Sequence, residues 1–297
     1  MTQVTVLIPA HNAASTLAQT LDSLCAQHLQ DFAVLLVDDA SQDATAQIAL
    51  GYRDRLAIEV MTQRRNTGVA GALNAGLAQI RSPYIARLDA DDLAQPERLS
   101  RQLSWLTAHP ETDVCGSALE IFYDQPGQPS QLAIKPADDS AIKTSLIQGN
   151  CLAHPSLMLR RSFFDDVGGY DVRYDYAEDY ELWCRGALLG KRYANLPEAL
   201  TRYRVHGGQV SQQKLALQRE RDMLVRRRYL QGLLAGSGSA YLAEFFSPLV
   251  GFSTREIALA VLQQSLPALF RLEQVVADRA LFHQLVSHNL ARHWATP

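Results

Sequence analysis

Three carboxylates fall within four positions in the stretch "YIARLDADDLAQPERL": Asp89, Asp91 and Asp92. The residues before them include apolar, β-prone Tyr84, Ile85 and Leu88, which read as a buried strand. Pro96 and Glu97 after them suit the first turn of a helix. Acidic groups crowded at the end of a core strand repel one another, and a cation relieves the repulsion. Hard oxygen donors select Mg²⁺ or Mn²⁺, and such an ion commonly shares its shell with a diphosphate. Most Asp-rich turns are merely solvated, with one Asp capping a helix. The strand-end position favours the cation here.

Two further acidic groups have the same ambiguity. In "VDDAS", Asp38 or Asp39 is either a helix cap, with Ser41 and Asp43 as rivals, or an acceptor for a base or ribose hydrogen bond. In "YAEDYELWCR", Glu178, Asp179 and Glu181 lie near a helix N-terminus, where negative charge is favourable anyway. A site that binds an activated diphosphate still needs a base for the attacking hydroxyl, and a carboxylate meets that need at neutral pH.

The elements that must position these groups alternate regularly. Strands at "VTVLIPA", "AVLLVDD", "LAIEVMT" and "YIARLDA" are separated by helices at "STLAQTLDSLCAQ", "DATAQIALGY" and "VAGALNAGLAQI". Leu17, Leu21 and Leu24 share one face of the first helix, which Ser15 can cap. This alternation predicts an α/β fold with a parallel sheet between helices, and its ligands bind beyond the carboxyl ends of the strands. "PAHN", "DDAS" and "DADD" all fall there. Residues 124–140 read as an exposed loop, "AEDYELWCRGALLG" as a helix, and the chain from about 211 onward as helical.

At 297 residues and 47% hydrophobic content, the chain can build one large domain with an appendage, here 1–210 and 211–297. A net charge of −3 gives no reason to expect nucleic acid. Four scattered cysteines without a CxxC pair suit a reduced cytoplasm. No export signal or membrane-spanning run is expected. Segment 211–297 carries ten Lys/Arg against six Asp/Glu, and "RRRYL" is a candidate for peripheral docking on anionic lipid, although a solvated helix face is the commoner arrangement.

The blocks "PAHNAASTLAQTLDSLCAQ", "VDDASQDAT", "NTGVAGALNAGLAQIRSPYIARLDADDLAQPERL", "GGYD…YAEDYELWCR" and "YRVHGGQVS" together resemble the inverting family-2 glycosyltransferases of the GT-A fold, over roughly residues 3–211. The resemblance implies a C-terminal helical extension on a GT-A domain and a bacterial cell-surface polysaccharide role. It implies that Pro9, Ala10 and Asn12 line the nucleotide pocket and that Asp39 reads the base, typically uracil. Some relatives use an arginine after the third strand to help read uracil, and Arg64 and Arg65 lie close to that position; Arg65 and Asn66 are expected at the nucleotide-sugar site. "DADD" corresponds to the DxD motif, with Asp89 toward the ribose and Asp91 on the metal, joined by His206. Asp179 would be the catalytic base, supported by Glu178. The QxxRW signature of processive synthases is absent, so one sugar per encounter is expected.

The expected reaction is a single displacement on a nucleotide diphosphate sugar, with Mn²⁺ or Mg²⁺ offsetting charge on the leaving diphosphate. The acceptor is a glycan or lipid-linked hydroxyl, with His154, Arg160 and Arg161 as candidate contacts. Two rival readings are a sugar-1-phosphate nucleotidyltransferase and a non-catalytic nucleotide-sugar binding module. "PAHNAAS" occupies the place of the Gly-rich basic loop that the former carries after its first strand.

Overall fold

A computed structural model describes residues 2–125, 127–206, 214–235, 240–247 and 255–294. Nine strands form one sheet in the order β3-β2-β1-β4-β8-β6-β9-β5, with β7 beside β6. They are β1 Val4–Ala10, β2 Phe32–Asp38, β3 Ile58–Thr62, β4 Tyr84–Arg87, β5 Leu93–Ala94, β6 Val114–Tyr123, β7 Gln131–Ala133, β8 Met158–Arg160 and β9 Tyr193–Val205. The long ladders are parallel: β1 with β2 and β4, β2 with β3, and β6 with β9. The short ones, β4–β8, β6–β8, β6–β7 and β5–β9, are antiparallel. The expected α/β architecture is therefore present, with a mixed second half that strand alternation did not foretell.

Helices cover both faces: α1 Leu17–Cys25, α2 Thr45–Leu50, α3 Gly68–Gln79, α4 Arg98–Ala108, α5 Asp139–Ser145, α6 Arg161–Val167 and α7 Glu178–Leu188. The β1 side chains divide by the period of two. Val4, Val6 and Ile8 pack with α1 and α4, whereas Leu7 packs with α3 on the opposite face. Both faces are buried, which is why these strands read as continuous apolar runs.

After β9 come α8 Leu215–Leu233, α9 Ala240–Phe245, α10 Arg255–Val275 and α11 Arg279–Trp294. Val225, Tyr229, Leu230, Phe245, Phe246, Leu272 and Phe282 join the cluster that holds Trp183, Tyr180 and Phe163. The helical segment thus shares a core with the sheet domain. The expected boundary at 210/211 lies outside the described residues.

Several local expectations shift. Leu93 and Ala94 pair with β9, so α4 begins at Arg98, two residues beyond Pro96. Ser15 does not cap α1, whose N-cap is Thr16. Residues 131–133 of the expected loop form an edge strand on β6. Among the described residues, no helix is long and apolar enough to cross a membrane.

Candidate active site

The parallel strands β1, β2 and β4 end on one edge, and their following loops build one wall of a cleft. The loops after β1 and β2 are stitched together. Asn12 donates its N–H to Ser41 Oγ at 2.9 Å and accepts from the Gln42 N–H at 2.8 Å. Ala13 and Ala14 donate to Thr45 Oγ1 and Asp43 Oδ2 at 2.8 and 3.0 Å. Asn12 has φ +52°, in the left-handed region that Asn tolerates better than most residues. Pro9 and Ala10 are the buried last residues of β1, paired with Val37 and Asp38.

Asp39 is 4% exposed, and its two carboxylate oxygens receive the Thr67 N–H at 2.8 and 3.0 Å. The Thr67 hydroxyl adds a third bond at 3.0 Å. Asp39 therefore ties down the start of α3 rather than α2, and it keeps further lone pairs for a ligand. Asn66 accepts from the Gly68 N–H at 3.1 Å, while exposed Arg65 has no hydrogen bond or ion pair among the described residues.

Asp89, Asp91 and Asp92 bring ligand oxygens within 4.8 Å of one another. Each has its own support. Asp89 pairs with the buried Arg87 guanidinium at 2.5 Å. Asp91 lies 3.0 Å from His206 Nε2, at the end of β9. Asp92 is fully buried and accepts the Arg204 N–H at 2.8 Å through Oδ1, while Oδ2 has no hydrogen-bond partner among the described residues. The Arg204 side chain closes the turn by donating to the Asp91 carbonyl at 2.8 Å and to Gln19 Oε1 at 2.6 Å. Burial and the neighbouring Asp89 and Asp91 charges raise the Asp92 carboxyl well above the ordinary range. Crowded oxygens, one of them an orphan, with an imidazole alongside, fit a divalent cation of the Mg²⁺ or Mn²⁺ type.

The opposite wall is the N-terminus of α7. Asp179 accepts the Asn150 side-chain N–H at 2.7 Å and the Tyr180 backbone N–H at 2.7 Å. Burial raises its carboxyl, and these two donors work against that rise. Glu178 is 7% exposed, and its Oε2 is buried without a hydrogen-bond partner among the described residues. Burial, with the Asp179 charge adding to it, pushes Glu178 up to about 8. The pair is thus unlike: Glu178 keeps its proton up to about 8, whereas two hydrogen-bond donors favour the ionised form of Asp179. Asp179 also raises the Asp89 carboxyl, which marks the two walls as electrostatic neighbours.

Other expectations change. His154 is buried under the site, with Nε2 2.8 Å from the Tyr170 hydroxyl, and burial holds it neutral. Arg160 donates to the Thr112 and Leu106 carbonyls at 2.9 and 2.6 Å, beside Tyr84 at the opposite end of β4. Arg161 is exposed on α6, 3.6 Å from Asp165. None of the three faces the cleft as an acceptor contact. In "RRRYL", Arg226 is buried and donates to the Gln148 carbonyl at 2.7 Å, so the three arginines do not form one lipid-facing patch.

Sequence reasoning passed over Arg87 and Asn150. Arg87 left a signal, because an arginine two residues before Asp89 in a core strand needs a buried anion. Asn150, in "QGNCLAHP", left none.

Residues 5–168 match the family model described as "Glycosyl transferase family 2". The chain is 32% identical over 212 residues to the amylovoran biosynthesis glycosyltransferase AmsE of Erwinia amylovora, covering 70% of this chain and 79% of that one. The structure of S. aureus TarS 1-349 in complex with UDP-GlcNAc aligns at TM-score 0.66 and 22% identity, covering 98% of this chain and 89% of that one. This chain spans 54% of the longer TarS chain. The mannosyltransferase PcManGT from Pyrobaculum calidifontis, in complex with GDP-Man and Mn²⁺, aligns at TM-score 0.62 and 18% identity, covering 100% and 88%. The sheet, the helices on its two faces and these neighbours make the fold GT-A, and the chain belongs to the family-2 glycosyltransferases.

Proposed function

We propose that this enzyme transfers one sugar, with inversion, from a nucleotide diphosphate sugar to a hydroxyl of a glycan or lipid-linked acceptor in polysaccharide assembly. The observation that carries this reading is the pairing of two unlike carboxylate groups across one cleft: a crowded triad at 89–92 and a base-like pair at 178–179. Residues 1–210 would form the catalytic domain, with 211–297 as a helical region beside it.

Pro9, Ala10, Asn12, Asp39, Arg65, Asn66 and Asp89 would receive the nucleotide. Asp91 and His206 would hold the cation, Mn²⁺ or Mg²⁺, with Asp92 beneath them. When bound, the ion offsets the charge that develops on the leaving diphosphate. Asp179 takes the proton of the acceptor hydroxyl as that oxygen attacks the anomeric carbon from the face opposite the leaving group. Asn150 and the Tyr180 N–H keep the carboxylate aimed while the proton moves. A UDP-linked donor is favoured by the UDP-GlcNAc complex of the TarS neighbour, and the GDP-Man complex of PcManGT names the alternative to test. The amylovoran role of AmsE supports polysaccharide assembly. Any membrane contact would be peripheral and on the cytoplasmic side.

Incubation with UDP- and GDP-sugars, with and without Mn²⁺, tests this reading through release of nucleotide diphosphate. Slow, cation-dependent release from a UDP-sugar is expected, and its loss in Asp179→Asn should follow once an acceptor is present. No cation-dependent release from any donor would leave a binding module as the better description.

A further inference from the structure

Helix α8 has two unlike faces. Val225, Arg226, Tyr229 and Leu230 are buried, and the Tyr229 hydroxyl donates to the Lys143 carbonyl at 3.0 Å. Arg221, Leu224, Arg228 and Gln231 follow at helical spacing on the other face. With Arg227 and, from the loop before α7, Arg173 and Tyr174, they line an open groove of about 500 Å³.

Positive charge exceeds its partners there. Arg173 pairs with Asp171 at 2.6 Å and Arg227 with Glu244 at 3.2 Å. Arg228 lies 3.8 Å from Glu181, which Arg185 already holds at 2.7 Å. Arg221 has no hydrogen bond or ion pair among the described residues; burial and the Asp39 charge raise the Asp175 carboxyl, and the Arg221 charge opposes that rise. The Tyr174 ring adds an aromatic surface, with the Arg228 guanidinium 5.9 Å from its centroid. A flat aromatic face beside guanidinium forks suits a sugar that carries a phosphoryl group, since the fork matches two phosphoryl oxygens.

At its Tyr174 end the groove adjoins the start of α3. A Cβ on Gly68 would lie 3.1 Å from Asp175 Oδ1, which places the residue after Tyr174 against the start of α3. Asp222, on the buried face of α8 with Arg226 and Tyr229, is pushed up to about 6 by burial and by the Asp179 charge. It is thus the buried face of α8 that neighbours the Glu178–Asp179 pair, and the groove lies on that helix's other face.

We propose that this groove binds a phosphoryl group of the acceptor, with the attached sugar against Tyr174. The assignment rests on the proposed transfer to an acceptor hydroxyl. A neutral glycan would leave Arg221 with no charge-assisted bond and Arg228 with only its distant share of Glu181. A bilayer surface is the other source of phosphoryl groups.

The test uses the full chain with UDP and Mn²⁺ saturating the donor site, so that added anions report on the groove. Glucose 1-phosphate, glucose, and vesicles of phosphatidylglycerol or phosphatidylcholine are the probes. Wild type should bind glucose 1-phosphate and ignore glucose. Arg221→Gln and Arg228→Gln should each weaken that binding about tenfold, the usual scale of one lost charge-assisted bond. Arg221→Lys should recover part of it. UDP affinity, measured in the same variants, should stay at the wild-type value and separates loss of the groove from loss of the donor site. Equal glucose 1-phosphate binding in wild type and Arg221→Gln overturns the proposal, whatever UDP does. Arginine-dependent binding of phosphatidylglycerol vesicles, with none of glucose 1-phosphate, overturns it in favour of a membrane surface.

Discussion

The two carboxylate groups that face each other across the cleft are held in opposite ways. Asp89, Asp91 and Asp92 lie against a guanidinium, an imidazole and a backbone N–H, from Arg87, His206 and Arg204. Glu178 and Asp179 are held by neutral donors and by burial. In the first arrangement burial and mutual repulsion still raise Asp89 and Asp92, so a bound cation would supply the positive charge that the crowded set needs. The second keeps a proton affinity above that of an ordinary carboxylate, which is useful for taking a proton. Composition alone would call both groups acidic turns.

The largest expected effect separates them by function. Asp179→Asn keeps the side chain's shape but cannot accept the proton, so kcat should fall by about 10²–10⁴. Donor affinity should be almost unchanged, because the lost interaction belongs to the transition state. Single-turnover transfer beside calorimetric UDP binding reads both quantities. A parallel loss of UDP affinity would place Asp179 in the donor site and dissolve the contrast.

Stability should separate them next. Arg87 is 4% exposed, and Asp89 is its ion-pair partner. Asp89→Asn leaves a buried cation uncompensated and should cost about 3–5 kcal/mol of unfolding free energy. Asp91→Asn removes a half-buried charge from a repelling set, so the fold should survive while the cation dependence of UDP binding disappears. Urea unfolding of both variants, with Mn²⁺ titrations of UDP binding, makes the comparison. Equal destabilisation would show that Asp89 does not carry the Arg87 charge.

Asn150 tests the other wall more finely. Its N–H favours the ionised form of Asp179, so Asn150→Ala should move that carboxyl further upward. A base must be deprotonated to act, so the acid limb of the kcat profile should shift to higher pH. At neutral pH the loss should be about tenfold, the worth of one hydrogen bond to a charged group. A lowered plateau with an unmoved acid limb would make Asn150 a packing residue only.

The sequence made the sheet edge legible because strand ends, period-two burial and acidic turns are all local patterns. Val4, Val6 and Ile8 declare their face without help from the rest of the chain. What was illegible depended on residues far apart. Asp39 could be suspected as a cap, but its partner Thr67 lies 28 positions away. Arg204 reaches the 89–92 turn across 112 positions, and its backbone N–H carries no sequence signal at all. Arg226 looked like part of a basic patch, yet a buried carbonyl claims it.

The smallest expected effect concerns Glu178, and its sign depends on pH. In the folded chain this carboxyl keeps its proton up to about 8, whereas the unfolded chain releases it near 4.5. Between those values folding takes up a proton, so stability is full below the unfolded value and declines as pH rises toward 8. Gln resembles the protonated acid and has nothing to release. Glu178→Gln should therefore match wild type in thermal stability near pH 4.5 and exceed it near pH 9. At pH 7 its kcat should remain within a few-fold of wild type, because the wild-type residue is mainly protonated there. Thermal unfolding at the two pH values, with turnover at pH 7, gives both readings. A dead Glu178→Gln beside an active Asp179→Asn would exchange the roles of the two carboxyls. A stability difference that ignores pH would mean that Glu178 is ionised in the fold, and the cleft would then have two charge-holding walls instead of one.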